Sequence, residues 1–280
     1  MSRTDSDNAG PRVALIGFGE AGETFARAAG WSGHARGWDV LPARCAAMAD
    51  CGVAASEDAA AALTDADCVL SLVTADAAPG AARDYAAMLS PGALWLDMNS
   101  VAPSTKQASA APVEAAGAHY VDVAVMAPVD KGLAVPLLVS GPEAERAAGM
   151  LGALGFSNVR TVGSEVGRAS AIKMIRSIMV KGIEALSREC HDAALAAGVL
   201  DEVTASLDSS EKQIGWSDRF DYNRERMDTH GRRRAAEMEE VCKTLSDLGV
   251  EPVMTRSTVI RQRAAAELAE QNAREESEPA

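Results

Sequence analysis

The sequence predicts an α/β protein: a doubly wound parallel sheet over residues 11–163, a long helix that leaves it, and an all-helical remainder extending to residue 270. Three observations carry this. Residues 12–163 alternate short apolar runs with alanine-rich stretches, as strands and crossover helices do in a parallel sheet. The first run, Val13-Ala14-Leu15-Ile16, passes directly into Gly17-Phe18-Gly19-Glu20-Ala21-Gly22 and then into a helical pattern. After Gly163 the strand pattern ends, and residues 165–197 form one proline-free helical stretch with Ile172, Ile175, Met179, Ile183 and Leu186 spaced by three and four.

Residues 13–16 are apolar without a break, which suits a strand buried on both faces. In the turn that follows, Gly17 permits the tight bend, Gly19 lets backbone N–H groups approach an anion, and Gly22 lets the helix starting near Glu20 pack closely on the strand. This order is the Rossmann dinucleotide turn, with the pyrophosphate on the positive end of the helix. With 23 glycines in the chain, three in a row of spacings prove little, so the strand before and the helix after carry the reading. Gly17, Phe18, Gly19, Glu20, Ala21 and Gly22 are therefore the expected phosphate cradle. The second strand ends at Trp38-Asp39, twenty positions after Gly19. A carboxylate there accepts hydrogen bonds from the adenosine ribose and repels a 2′-phosphate, which favours NAD. Arg36 and Arg44 lie close enough in sequence to hold a phosphate, which leaves NADP open.

A helix over residues 42–50 precedes Gly52-Val53-Ala54, and residues 68–73 read as the fourth strand. Ligands of open parallel sheets lie outside the carboxyl ends of the strands, so Val73 and Thr74 should border the cofactor. Residues 93–98 form the next strand and deliver Asn99, a cofactor contact, and Ser100, a substrate contact, to the same rim. Residues 103–115 read as the crossover helix, 119–125 and 136–140 as further strands, and 142–154 as a helix. In the second half, 200–209, 219–229, 232–248 and 256–270 read as helices, with Gly231 and Gly249-Val250-Glu251-Pro252 as breaks. The polar residues 1–10 and the charge-rich tail 271–280 are expected to be disordered.

Composition excludes several function classes. A net charge of −13 argues against non-specific binding to nucleic acid or a membrane surface, both anionic. The cluster Arg232-Arg233-Arg234 is too short to reverse that. Five cysteines without a C-x-x-C indicate neither a disulfide framework nor a zinc site, and reduced thiols in the cytoplasm are the simpler reading. Residues 1–10 lack the apolar segment of a signal peptide, and no run of eighteen apolar residues could span a membrane. His34, His119 and His191 have no partners at metal-ligand spacing, so no metal is expected.

A Rossmann half joined by a long lysine-bearing helix to a helical half resembles the β-hydroxyacid dehydrogenase family, which includes the 3-hydroxyisobutyrate and 6-phosphogluconate dehydrogenases. In that family the helix bears G-x-x-x-x-x-K-x-x-x-N, and Gly167 and Lys173 fit it here. The resemblance implies that Lys173 is the catalytic acid/base, a role that suits an amine desolvated into the neutral range. A solvated helix lysine is the alternative, and the apolar flanks Ile172, Met174 and Ile175 favour burial. The chain departs from the family in two places, the long helix and the substrate loop. Ser177 stands where the family places Asn, and it can still hydrogen-bond to substrate. The substrate loop D-x-P-V-S-G-G corresponds to Asp122-Val123-Ala124-Val125-Met126-Ala127-Pro128, so Met126 replaces a serine donor and Pro128 offers no N–H. Met126 and Ala127 would then face a bulkier or less polar group than that of 3-hydroxyisobutyrate.

Residues 226–238 resemble the C-terminal domain of a sub-branch of these dehydrogenases of mostly unassigned function. There His230 could face the substrate, with Arg233 or Arg234 gripping an anionic group; equally, this could be a helix N-terminal turn with solvated arginines. The small-molecule reaction expected is hydride transfer between nicotinamide and a hydroxy acid or related alcohol. An imine reductase or reductive aminase of the same architecture is the nearest rival, and Lys173 tells against it because those relatives commonly carry Asp or Tyr there. A non-catalytic dinucleotide sensor would need the glycines and not the lysine. A homodimer through the helical half is expected, since that half has few large apolar residues with which to close its own core.

Overall fold

The computed structural model describes residues 10–211 and 213–277, so residues 1–9 and 278–280, parts of the two expected disordered ends, lie outside the described residues. The chain divides into two compact units, Met1–Arg176 and Ser177–Ala280. It is an α/β protein whose first unit has the Rossmann architecture and whose second is helical throughout the described residues.

In the first unit, strands β1 (Val13–Ile16), β2 (Ala35–Trp38), β3 (Ala54–Ala55), β4 (Cys68–Ser71), β5 (Leu94–Asp97), β6 (His119–Val125), β7 (Leu137–Ser140) and β8 (Val159–Thr161) form one sheet in the order β3-β2-β1-β4-β5-β6-β7-β8. Helices α1 (Glu20–Ala29), α2 (Pro42–Ala49), α3 (Ala59–Leu63), α4 (Ala78–Tyr85), α5 (Pro103–Ala115) and α6 (Ala144–Ala153) connect them. Each central strand is sided. Leu15, Leu70 and Leu96 belong to one buried cluster, and Ile16, Val69 and Trp95 to another. The strands are thus covered on both faces, which is why they read as continuous apolar runs. Each such fully buried aliphatic side chain contributes about 1.5–3 kcal/mol.

The order reverses direction between β1 and β4, and this opens a crevice at their carboxyl ends. β6 and β7 pair antiparallel. The link between them, residues 126–136, is too short for a helical crossover, so the chain must turn back on itself.

The second unit holds the later part of α7 (Arg168–Ala197), then α8 (Leu200–Ser210), α9 (Trp216–Asp247) and α10 (Val253–Ser277). α9 and α10 lie antiparallel. The Arg232 guanidinium donates two bonds to Glu270, at 2.6 and 2.8 Å, and Arg263 pairs with Glu239. The expected break at Gly231 does not exist: the residue is buried inside α9, and a Cβ there would stand 2.3 Å from the Gln262 carbonyl oxygen of α10. Glycine here serves a close helix contact and does not interrupt the helix. α10 also continues through Ser277, across residues expected to be disordered. Its first turn is capped from α7, because the Glu189 carboxylate accepts bonds from Met254 N (2.7 Å), Thr255 N (2.9 Å) and Thr255 Oγ1 (2.5 Å). Burial alone would raise the Glu189 pKa, but the bonds from Thr255 and its neighbours outweigh it and hold the carboxyl below its ordinary value.

Candidate active site

The glycine turn has the geometry that its sequence implies. Gly17 sits at φ +89°, and a Cβ there would lie 2.7 Å from the Leu72 carbonyl oxygen, so only glycine lets β1 and β4 end side by side. A Cβ on Gly22 would come 3.0 Å from the Gly17 oxygen, which is the close helix–strand packing. At Gly19, the N-cap of α1, nothing lies within 4 Å of that point. The open space at the helix N-terminus is where backbone N–H groups can meet a phosphate.

A cleft of about 660 Å³ runs across the ends of β1, β2 and β4. Gly17, Gly19, Glu20 and Ala21 line it from the turn, Asp39 from just after β2, and Val73 and Thr74 from just after β4. Phe18 and Gly22 do not. The Phe18 side chain is fully buried in the core, and its N–H donates to Asp39 Oδ2 at 2.7 Å. The other Asp39 oxygen accepts from Leu41 N at 2.8 Å. The Asp39 carboxylate therefore ties the glycine turn to the loop after β2, and each oxygen keeps a lone pair for a further donor. Arg44, named from sequence as close enough to hold a phosphate, also borders the cleft; Asp84 and the edge-to-face pair Trp38–Tyr85 border it too, and sequence reading missed them there. No local signal places an α4 residue opposite β2.

Asn99 is buried at the end of β5. Its amide N–H₂ donates to Asp97 Oδ1 at 2.7 Å and to Ser71 Oγ at 3.0 Å, which fixes the orientation of the amide. Asn99 Oδ1 is left without a donor. A buried acceptor with no partner costs roughly 1–3 kcal/mol, so this oxygen is suited to a hydroxyl or amide supplied by a ligand. The glycine cradle, the strand-end carboxylate and this orphaned oxygen together fit a nicotinamide dinucleotide.

At the same rim the structure joins two residues chosen from sequence for different roles: Lys173 Nζ donates to Ser100 Oγ at 2.5 Å. Ser100 is exposed and Lys173 half-buried. Met126 packs with Val162 and Ile172 against Ala124, Leu138 and Ala169, so it forms an apolar wall beside the first turns of α7. Ala127 packs on the main core. Ser177 follows Lys173 by one turn of α7 and is half-buried. His230 lies exposed in the middle of α9, and the arginines after it sit within that helix and not in an N-terminal turn. Arg232 is committed to Glu270.

Beneath Ser100 and Lys173 lies a buried polar cluster that sequence reading missed, apart from Asp122 as a motif position. Lys106 of α5, 0% exposed, donates to the Asp97 main-chain oxygen at 2.6 Å and stands 2.9 Å from Asp97 Oδ1 and 3.5 Å from Asp122 Oδ1. Tyr120 donates to Asp97 Oδ2 at 2.5 Å. Burial, and then the Asp97 carboxylate, push the Tyr120 hydroxyl far above its ordinary pKa, so it remains a donor.

Comparison with known proteins agrees with this geometry. Residues 12–163 match the family described as the NAD binding domain of 6-phosphogluconate dehydrogenase, and residues 194–265 match a domain of unknown function, DUF1932. A conserved hypothetical protein from Sinorhizobium meliloti is 36% identical, with 93% of this chain and 90% of that one covered and a TM-score of 0.62. A conserved protein of unknown function, reported to resemble 3-hydroxyacid dehydrogenases, is 29% identical over 92% of this chain and 98% of its own, with a TM-score of 0.60. An imine reductase from Myxococcus stipitatus in complex with NADP+ shares the fold, with a TM-score of 0.74 and 19% identity over 92% and 95% of the two chains. No described helix is long and apolar enough to cross a membrane, and no group of His, Cys, Asp or Glu among the described residues could hold a metal ion.

Proposed function

The chain belongs to the β-hydroxyacid dehydrogenase family, through its 6-phosphogluconate dehydrogenase-type NAD-binding domain, and we propose that it passes hydride between nicotinamide and a hydroxy acid or related alcohol, with Lys173 as general acid/base. The observation that carries this reading is the 2.5 Å contact between Lys173 Nζ and Ser100 Oγ at the carboxyl rim of the sheet. An alcohol carbon releases hydride only as the hydroxyl proton leaves, so a base must sit within hydrogen-bond reach of that hydroxyl. An amine already donating to one hydroxyl at this rim can reach a second beside it. Lys173 takes the proton in oxidation and returns it in reduction; Ser100 helps to place the substrate oxygen. Bound nicotinamide supplies the hydride acceptor or donor. Met126 offers an apolar surface where relatives place a serine, which favours substrates with an apolar group there. Ser177 and His230 are further proposed substrate contacts.

The direct test is reduced-nicotinamide absorbance across a panel of hydroxy acids, amino alcohols and cyclic imines. Turnover of hydroxy acids or alcohols supports the reading. Tight cofactor binding with no turnover on any of them would leave a dinucleotide sensor.

NAD is the proposed cofactor. The carboxylates of Glu20, Asp39 and Asp84 line the cleft against one guanidinium, Arg44, which already pairs with Glu23 at 3.7 Å. A 2′-phosphate would add negative charge to that excess. Asp39→Ala should bind NAD about tenfold more weakly, the loss of one charge-assisted bond. NADP should lose less. A wild-type protein that binds NADP more tightly than NAD, measured by calorimetry, contradicts the assignment.

We also propose a homodimer formed through the second unit. Ile178, Ile183 and Leu186 of α7 and Val253, Ile260 and Leu268 of α10 are exposed apolar side chains on a small helical unit, a surface that monomers rarely leave uncovered. Light scattering at micromolar concentration should give twice the chain mass. A monomer with full activity would rule the dimer out.

A further inference from the structure

Two short arms hold the Ser100–Lys173 pair, and both end on one buried ammonium. On the first arm, the Asp97 carboxylate at the end of β5 accepts from Asn99 N at 2.9 Å and from the Asn99 side chain at 2.7 Å, which folds the turn that presents Ser100. On the second, the Asp122 carboxylate of β6 caps the start of α7: its oxygens accept from Ser170 N at 2.9 Å and Ser170 Oγ at 2.6 Å. Ser140 Oγ donates to Asp122 at 3.2 Å and accepts from Ala169 N at 2.9 Å. Ser170 is one helical turn before Lys173. Lys106 stands between the two carboxylates, and Lys106, Asp97 and Asp122 are at most 1% exposed.

Burying one ammonium and two carboxylates is expensive, and an apolar replacement of similar volume is commonly as stable. What such a cluster provides is definite geometry, since every donor and acceptor in it has one satisfied arrangement. We propose that Lys106 is a positioning residue, which through Asp97 and Asp122 sets the distance between Ser100 on the β5 turn and the Lys173 amine on α7. This rests on the reading of Lys173 as the acid/base. Lys106 itself touches neither substrate nor cofactor. It clamps the β5 turn and the α7 N-terminus in register, and a shift of about 1 Å between reacting groups can cost roughly 100-fold in rate.

The test compares wild type with Lys106→Met and Asp122→Asn. Asp122→Asn keeps the size of the side chain and leaves Lys106 paired with Asp97, but turns one accepting oxygen into an N–H₂ that cannot accept the bonds made there, so it loosens the cap and serves if Lys106→Met fails to fold. The first readout needs no substrate: competitive labelling of lysine amines with a water-soluble acylating reagent, with exposed Lys181 of the same helix as internal reference. Release of Lys173 from Ser100 should raise its labelling relative to Lys181 severalfold. A purely structural role would raise all lysines together, or none. The second readout is kinetic: kcat should fall about 10–100-fold with KM and NAD affinity little changed. A folded Asp122→Asn protein with an unchanged labelling ratio overturns the inference. If the ratio moves while the wild type turns over no substrate, the clamp stands and the dehydrogenase reading fails.

Discussion

Lys173→Met is expected to lower turnover about 10²–10⁴-fold on the best substrate, the usual contribution of a positioned general acid or base, with NAD affinity unchanged. Binding and chemistry separate because the residues concerned are separate. The dinucleotide cleft is lined by Gly17, Gly19, Asp39, Val73 and Thr74, and Lys173 is not among its walls. Methionine matches the lysine stem in length and flexibility, so the half-buried apolar part of the side chain keeps its packing. Ser100, which loses its donor, is exposed and can turn to water, so its hydroxyl is not left unsatisfied. The rate in the oxidative direction should rise with pH in the wild type, since only the neutral amine accepts a proton, and that limb should vanish in the variant. Stopped-flow hydride transfer checks both. A Met variant with near-wild-type turnover would remove Lys173 from the mechanism and make His230 the next residue to replace.

How much of this was legible in sequence depends on the range of the physics involved. The glycine turn is local: strand, turn and helix start each constrain adjacent residues, so the tight bend at Gly17 and the close helix packing at Gly22 could be read in advance. Likewise β6 at His119–Val125 and α5 at Pro103–Ala115 lie where periodicity put them. β8 went unread because it is three residues long with Arg160 at its centre, an edge strand with no apolar run. The antiparallel pairing of β7 leaves no trace in its composition.

The buried cluster was illegible for a different reason. A lysine on a helix reads as solvated unless its partners are known, and those of Lys106 come from β5 and β6, elements that meet it only in the folded sheet. Glu189 is similar: its function as a cap depends on Thr255, sixty-six positions later. Serine likewise says little by itself. Ser100 could be placed on the rim, but its contact with Lys173 requires α7 to begin above β6, where Asp122 holds it.

The second large effect is expected at Gly231, where propensity and packing predict opposite signs. Replacing glycine by alanine inside a helix usually gains about 1 kcal/mol, because glycine pays more backbone entropy on folding. Gly182 of α7 should behave that way, since nothing lies within 4 Å of the point where its Cβ would be. At Gly231 the same methyl would stand 2.3 Å from the Gln262 carbonyl oxygen and 3.1 Å from the Ala266 Cβ, so the backbone of α10 would have to move. Overpacking of this kind costs about 1–3 kcal/mol, and Gly231→Val, with two further methyls against the same backbone, should lie at or beyond the upper end. The movement would also strain the Arg232–Glu270 and Arg263–Glu239 pairs on either side, although such exposed pairs are worth little themselves. Urea denaturation of Gly231→Ala, Gly231→Val and Gly182→Ala should therefore give a falling midpoint for the first two and a rising one for the third. If Gly231→Ala proved as stable as Gly182→Ala, α9 and α10 would not be in close contact at that point, and the glycine would be the helix break that its sequence suggests.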